Sequence, residues 1–324
     1  MIKYYYVGAE NIIIDTETFI HEKIQDFMQI SRDYDFIPSF SYSIKFIENK
    51  ENFFKVIKSL INQKKSCKFF KLKNLTYIYD TNTNIYFVIN SSFLGIVILN
   101  KKKSIWFLNE KNINGRNIFH TCILDALSLS LPNSNKIVFH GAAIKEKDKT
   151  ILLLGRSGNG KSTLSYKLTK KQPTAYKLCD DTFILENRKT PQIYPLITGE
   201  GYSPEIANNL ISKQNYKFLF HDEYKNKTYI MKEQNDYSPH PASIIVFLVR
   251  TQEHQKEIST HIHKCSSQEI FLNIIDSQTN IASPFLYKKI NCYKNISQKL
   301  KGYIVTYNYD CDEEQLIRTV LLNE

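Results

Sequence analysis

Long apolar runs are missing from this chain. No stretch of its 324 residues approaches the roughly 18 uninterrupted apolar residues of a membrane span. The opening Met1-Ile2-Lys3-Tyr4-Tyr5-Tyr6 has no basic region leading into a long apolar stretch, so neither an export signal nor a membrane anchor is expected and the expected location is the cytoplasm. Cysteine is sparse. The six, at positions 67, 122, 179, 265, 292 and 311, show no CxxC spacing, which argues against a zinc site and a disulfide framework and leaves reduced, mostly buried thiols. Internal repeats, low-complexity tracts and long linkers are also missing. What is present is a hydrophobic content of 42%, enough for the core of one large domain or two ordinary ones. The net charge of +11 attracts anions in general, yet the excess is diffuse. Its densest stretch, Lys64-Lys65 with Lys68, Lys71 and Lys73 around Phe69-Phe70, and the shorter runs Lys101-Lys102-Lys103 and Lys170-Lys171 match no RNA-binding signature. Solvated lysines are the expectation, and nucleic acid is not the expected partner.

Short β-type runs dominate the first third. Residues 40–46, 76–79, 85–89, 95–99 and 104–108 are rich in Tyr, Phe, Ile and Val, which fit pleated sheets, and the polar break 80–84 reads as a hairpin loop. These runs predict a mainly antiparallel N-terminal β layer over residues 1–115. Residues 117–131 carry Phe119, Ile123, Leu124, Leu127 and Leu131 at helical spacing, with Pro132 as the stop. From there residues 116–324 read as a second domain of α/β class with α+β character. A strand over 137–144, a charged turn and a strand over 151–154 predict a hairpin. Residues 176–185 read as a strand interrupted by Asp180-Asp181, beside the 151–154 strand, and 243–249 as a buried strand. Residues 313–322 predict a short helix with Leu316 and Val320 inward. The polar segment 213–241 reads as an excursion over the site.

One segment carries specific chemistry. Gly155-Arg156-Ser157-Gly158-Asn159-Gly160-Lys161-Ser162 matches G-x-x-x-x-G-K-[ST] at every fixed position, after the apolar Ile151-Leu152-Leu153-Leu154. Thr163 and the residues after it continue as a helix with Leu164 and Leu168 on one face. Glycines let the backbone curl so that N–H groups point at phosphate oxygens, and the following helix presents its positive end. In this pattern Lys161 reaches the β- and γ-phosphates and the Ser162 hydroxyl ligates Mg²⁺. The expected ligands are therefore ATP and Mg²⁺.

The carboxylates of Asp180 and Asp181 suit two roles, one as a hard oxygen ligand for Mg²⁺ and the other as the acceptor of a proton from an attacking hydroxyl. Strand alternation would turn them to opposite faces unless the strand ends or bulges there. His140, in a strand expected to flank them, would tune a nearby carboxylate. Arg156, Arg188, Lys189 and Arg250 are candidates for neutralising transferring charge.

Taken in order, His140-Gly141-Ala142-Ala143-Ile144, the phosphate loop with Thr163, and Leu178-Cys179-Asp180-Asp181 resemble the catalytic domain of HPr kinase/phosphorylase, in particular the smaller HPr-kinase-like proteins that include the kinases found beside lasso-peptide biosynthesis enzymes. The resemblance covers residues 117 to 200. It implies a P-loop catalytic domain of HPr-kinase/PEP-carboxykinase type that transfers the γ-phosphoryl group to a serine hydroxyl of a peptide or protein. It further implies Asp180 as base, His140 as the neighbour that adjusts Asp180, Asp181 as the Mg²⁺ partner, and a symmetric homo-oligomer. The chain departs from the bifunctional enzymes at Thr163, where they carry glutamate, and lacks their signature segment; Thr198-Gly199-Glu200-Gly201 stands in a suitable place, with Glu200 as a further metal candidate. Two other readings stand beside the kinase: a nucleotide-sensing binding module without phosphotransfer, and a kinase acting on a small hydroxylated molecule. A nucleic-acid motor is weaker still, because no arginine-finger segment or second motor motif is present.

Overall fold

The computed structural model describes residues 2–7, 10–16, 18–25, 29–30, 42–61, 67–72, 75–80, 84–89, 92–108, 115–196, 199–212, 216–223, 226–232, 238–251, 260–278 and 286–307. The helix expected over 313–322, Thr198, and Lys64, Lys65 and Lys73 of the basic stretch lie outside the described residues. The chain divides into two compact units, one of Met1–Ser134 with Ala282–Leu286 and the other of Asn135–Ile281 with Tyr287–Glu324.

The first unit is built on one sheet. Its strands are β1 (Ile2–Val7), β2 (Glu10–Asp15), β3 (Gln29–Ile30), β4 (Tyr42–Phe46), β5 (Cys67–Leu72), β6 (Leu75–Asp80), β7 (Ile85–Ile89), β8 (Phe93–Ile98) and β9 (Lys103–Leu108), in the order β3-β1-β2-β4-β9-β8-β7-β6-β5. The run β5 to β9 is an antiparallel meander, in which β6 to β9 are the expected strands and β5, in the basic stretch around Phe69-Phe70, is an addition. The sheet is mainly antiparallel, as expected, with β4 as the exception, since it runs parallel to both β2 and β9. Parallel neighbours need long crossovers, and helices α1 (Thr18–Ile24) and α2 (Lys50–Ile61) lie in those connections. Phe53 of α2 packs with Ile85, Phe87, Ile96, Ile98, Ile105 and Phe107 from the meander. Gly95 faces Trp106 across β8 and β9, and a Cβ on Gly95 would clash with the indole ring. Residues 115–134 are helical throughout: α3 (Gly115–Ile118), a π segment (Phe119–Leu124), α4 (Asp125–Ser130) and a closing 3₁₀ turn (Leu131–Ser134) that takes in Pro132.

In the second unit, β10 (Lys136–His140), β11 (Ala142–Glu146), β12 (Lys149–Leu154), α5 (Lys161–Lys171), β13 (Ala175–Cys179), β14 (Thr182–Glu186), β15 (Gln192–Pro195), β16 (Glu200–Tyr202), α6 (Pro204–Ile211), β17 (Tyr216–Asp222), β18 (Lys227–Lys232), β19 (His240–Pro241), β20 (Ile244–Arg250), β21 (His261–Cys265), α7 (Ser267–Ser277), α8 (Leu286–Ser297) and β22 (Lys301–Tyr307) come in turn. They form sheets of order β13-β11-β12-β20-β22-β21, β10-β14-β15-β19 and β16-β18-β17. The expected hairpin is β11 and β12, and β20 and β22 extend it as parallel strands. Continuous apolar runs suit strands covered on both faces. Leu152 and Leu154 point into a core with Ile245, Phe247, Ile274 and Ile296. Ile151 and Leu153 point into another with Val246, Leu248, Leu164 and Leu168 of α5.

Two expected strands are each broken in two. Residues 137–144 form β10 and β11, which lie in different sheets and part at Gly141; residues 176–185 form β13 and β14, which part at Asp180-Asp181. The breaks adjoin, since Gly141 N–H donates to the Asp181 carbonyl at 3.0 Å. A Cβ on Gly141 would come within 2.5 Å of Leu154 Cδ2 and 2.7 Å of the Leu153 carbonyl, so only glycine lets the chain leave one sheet for the other here. β13 pairs with β11, which corrects the expectation that this strand lies beside the phosphate-loop strand; β11 fills that place. The unit is mixed α/β. No helix among the described residues is long and apolar enough to cross a membrane.

Candidate active site

The loop Gly155–Gly160 joins β12 to α5, and left-handed backbone at Gly160, with φ of 72°, turns the chain into the first helical turn, a conformation that favours glycine. A side chain at Gly160 would also collide with the Tyr307 hydroxyl. That hydroxyl donates to the Asn159 carbonyl at 2.7 Å, and Asn159 Nδ2 donates to the Leu248 carbonyl at 2.6 Å. Strands β20 and β22 thus buttress the loop from beneath, while Arg156, Ser157 and Gly158 at its crest stay exposed. Lys161 Nζ donates to the carbonyls of Gly155 at 2.8 Å and Arg156 at 3.1 Å, which folds the lysine over the cradle. Burial lowers the pKa of Lys161, the charges of Asp181 and Asp180 oppose that shift, and Lys227 at the start of β18 adds to it.

Asp180 and Asp181 sit where β13 has ended and β14 has not begun, so alternation no longer separates them. Asp181 takes a left-handed conformation with φ of 80°, which costs energy for a residue with a Cβ but is best tolerated by Asp and Asn. Its Oδ1 lies 3.2 Å from His140 Nδ1. A carboxylate only accepts, so a hydrogen bond between them requires a proton on Nδ1. His140 therefore meets Asp181, whereas the resemblance implied Asp180 as its partner. The histidine is fixed through its backbone: His140 N–H donates to Gln278 Oε1 at 2.9 Å, and Gln278 Nε2 donates to the His140 carbonyl at 3.5 Å. Gln278 closes the C-terminal end of α7.

Asp180 is buried, at 4% exposure, and the Ser162 side chain acts on its carboxylate, favouring the charged form. Burial raises its pKa, with Glu200 and Asp181 adding to the rise and Lys177 and Ser162 opposing it. A serine hydroxyl and a carboxylate side by side are hard oxygen donors of the kind Mg²⁺ takes, with phosphate oxygens and water completing its shell. Among the described residues no three His, Cys, Asp or Glu side chains converge as a metal site.

Glu200, the further metal candidate, lies within electrostatic reach of Asp180 but is bound by protein groups. Its Oε2 accepts from Lys177 Nζ at 2.7 Å, with side-chain exposures of 13% and 3%. The Tyr202 hydroxyl contacts both Lys177 and Glu200, and Lys177 Nζ lies 4.8 Å from the Tyr202 ring centroid. Burial pushes the Glu200 pKa up, and Lys177 and Tyr202 outweigh it to leave a net lowering. Burial pushes Lys177 down, and Glu200 and Asp180 outweigh it to leave a net rise.

Of the other cations, Arg250 Nη1 donates to the Gly158 carbonyl at 3.4 Å. Arg156 turns to Asp276, with bonds of 2.6 and 3.2 Å. Arg188 pairs with Glu186 at 2.7 Å, and Lys189 is exposed beside it. Thr163 is exposed on the first turn of α5.

Lys177, Tyr202 and Gln278 escaped the sequence reading. Lys177 left a signal, because Ala175, Lys177 and Cys179 alternate onto one buried face, and a lysine in such a stripe requires a buried partner. Gln278 left none; it is 138 residues from His140.

The chain is similar to the HPr(Ser) kinase/phosphatase from Coxiella burnetii, with a TM-score of 0.30 and 12% sequence identity over 57% of this chain and 93% of that chain. No family model and no curated protein matches it. At that similarity the likeness decides nothing about the site, whose chemistry rests on the residues above.

Proposed function

We propose that the second unit is an ATP- and Mg²⁺-dependent phosphotransferase that moves the γ-phosphoryl group to a hydroxyl, foremost a serine of a peptide or protein. The observation that carries this reading is the division of labour between adjacent aspartates at the mouth of a phosphate loop. Asp180 lies with Ser162, and Asp181 lies with His140 at 3.2 Å. A protein that only sensed nucleotide would need no second carboxylate with its own histidine beside the loop lysine. The serine acceptor rests on the motif resemblance.

In this reading the loop N–H groups and the helix α5 N-terminus hold the phosphates. Lys161 exchanges its loop carbonyls for phosphate oxygens. Ser162 and Asp180 would hold Mg²⁺, which would offset the charge of the β- and γ-phosphates. Asp181 accepts the proton of the attacking hydroxyl, and His140, braced by Gln278, keeps that carboxylate in place. The roles of the two aspartates are thus the reverse of those the resemblance implies.

Transfer from γ-labelled ATP to seryl peptides, with mass mapping of the product, tests the activity. Asp181→Asn is expected to lower transfer by roughly 10²- to 10⁴-fold, the usual worth of a general base, while leaving ADP binding intact. Transfer by Asp181→Asn at the parental rate would remove Asp181 from the role of base.

A further inference from the structure

Glu200 is the acidic side chain nearest in role to a third metal ligand, yet its surroundings are those of a charge clamp. Lys177 stands three positions before Asp180, in the strand that ends just short of it, with its side chain 3% exposed. Its charge acts on Asp180, while its hydrogen bonds go to Glu200 and Tyr202. A buried ammonium requires a carboxylate partner, and two carboxylates compete for this one. Were Glu200 to release it, Asp180 is the carboxylate whose charge acts on it next most strongly, and an ammonium bound to Asp180 excludes a metal ion from the same oxygens. Glu200 lies on β16 and Lys177 on β13, so the two sheets meet through this pair.

We propose that Glu200 is a positioning residue rather than a metal ligand: with Tyr202 it sequesters the Lys177 ammonium and so keeps Asp180 available, with Ser162, for the divalent ion. This rests on the phosphoryl-transfer reading above and assigns the lysine, the glutamate and the tyrosine a common task. A ligand role and a clamp role for Glu200 differ in one respect. Removing the lysine as well should restore metal binding only if Glu200 acts through the lysine.

The experiment measures Mn²⁺ affinity in the presence of ADP by electron paramagnetic resonance, with thermal unfolding as the control for folding. Glu200→Gln is expected to weaken Mn²⁺ binding by roughly 10- to 100-fold, the range for partners that act behind a metal's own ligands. Lys177→Met with Glu200→Gln is expected to return the affinity to near the parental value, because the competing ammonium is gone. Weak binding in the double variant overturns the clamp and makes Glu200 a ligand; unchanged binding in Glu200→Gln overturns any role toward the ion. If Glu200→Gln does not fold, the double variant alone decides by the same criterion, since its buried pair has been neutralised as a unit. Failure of the parent protein itself to bind Mn²⁺ with ADP would instead sink the phosphoryl-transfer reading.

Discussion

At Asp180 the requirements of chemistry and of stability pull in opposite directions. Its folded pKa stands above its ordinary value because burial, Glu200 and Asp181 disfavour the charge more than Lys177 and Ser162 favour it. A carboxyl raised in this way stabilises the fold when protonated and weakens it as pH rises through the folded value. Asp180→Asn is therefore expected to raise the midpoint of thermal unfolding at neutral pH while reducing metal binding, with the gain shrinking in acid; a melting series across pH checks it. Glu200 has the opposite sign. Its pKa is lowered, so the stability it contributes is present above the ordinary carboxylate range and is lost as pH falls through the folded value. Gly141 makes a purely steric case. With Leu154 Cδ2 and the Leu153 carbonyl already at 2.5 and 2.7 Å from the place of a Cβ, Gly141→Ala is expected to cost ~1–3 kcal/mol by overpacking, read as a shifted urea midpoint. The need for glycine after His140 was visible as a dipeptide in the sequence, but its reason, a strand leaving one sheet for another, was not.

Among the elements, those whose signals are local were legible. The phosphate-loop strand, its helix, the β11–β12 hairpin and the β6–β9 meander all arise from apolar runs, turn residues and glycines within a few positions of one another, whereas β5, in the basic stretch around Phe69-Phe70, is not among the runs that read as strands. Elements defined by distant partners were not. A parallel β4 between β2 and β9 looks in sequence like any other edge of the meander, because period-2 alternation is the same in either orientation. Residues 176–185 read as one interrupted strand because apolar residues stand on both sides of the two aspartates; that the break is a change of partner is something composition does not encode. Helix α7 is instructive because its start is written locally. Ser266 and Glu269 form a capping box, the Glu269 side chain accepting from Ser266 N–H at 2.7 Å and Ser266 Oγ accepting from Glu269 N–H at 3.3 Å. Ser266→Ala is expected to cost ~0.5–2 kcal/mol, measured by equilibrium unfolding. The other end of the same helix supports the site, since Gln278 there holds the backbone of His140.

For the whole molecule, the positive balance of +11 is diffuse along the sequence, whereas Lys161, Lys177 and Asp180, three of the charges invoked for phosphoryl transfer, are buried and Asp181 and His140 are partly exposed. Nucleotide binding should register as global stability. ADP with Mg²⁺ at 100 times its dissociation constant is expected to add about 2.7 kcal/mol, seen as a rise in the unfolding midpoint that Lys161→Ala abolishes. The sequence alone determined that a glycine-rich loop of the phosphate-binding pattern follows a buried strand and leads into a helix, and which residue types stand near it, since such a loop is specified within a dozen positions. Only the tertiary structure decided which aspartate faces His140, that Glu200 belongs to Lys177, and that Gln278 braces the histidine. The physical reason is that β13 stops at Cys179 and Asp181 turns left-handed, which rotates two adjacent carboxylates into different environments; that rotation depends on Gly141 and the sheets on either side of it, and no local pattern records it.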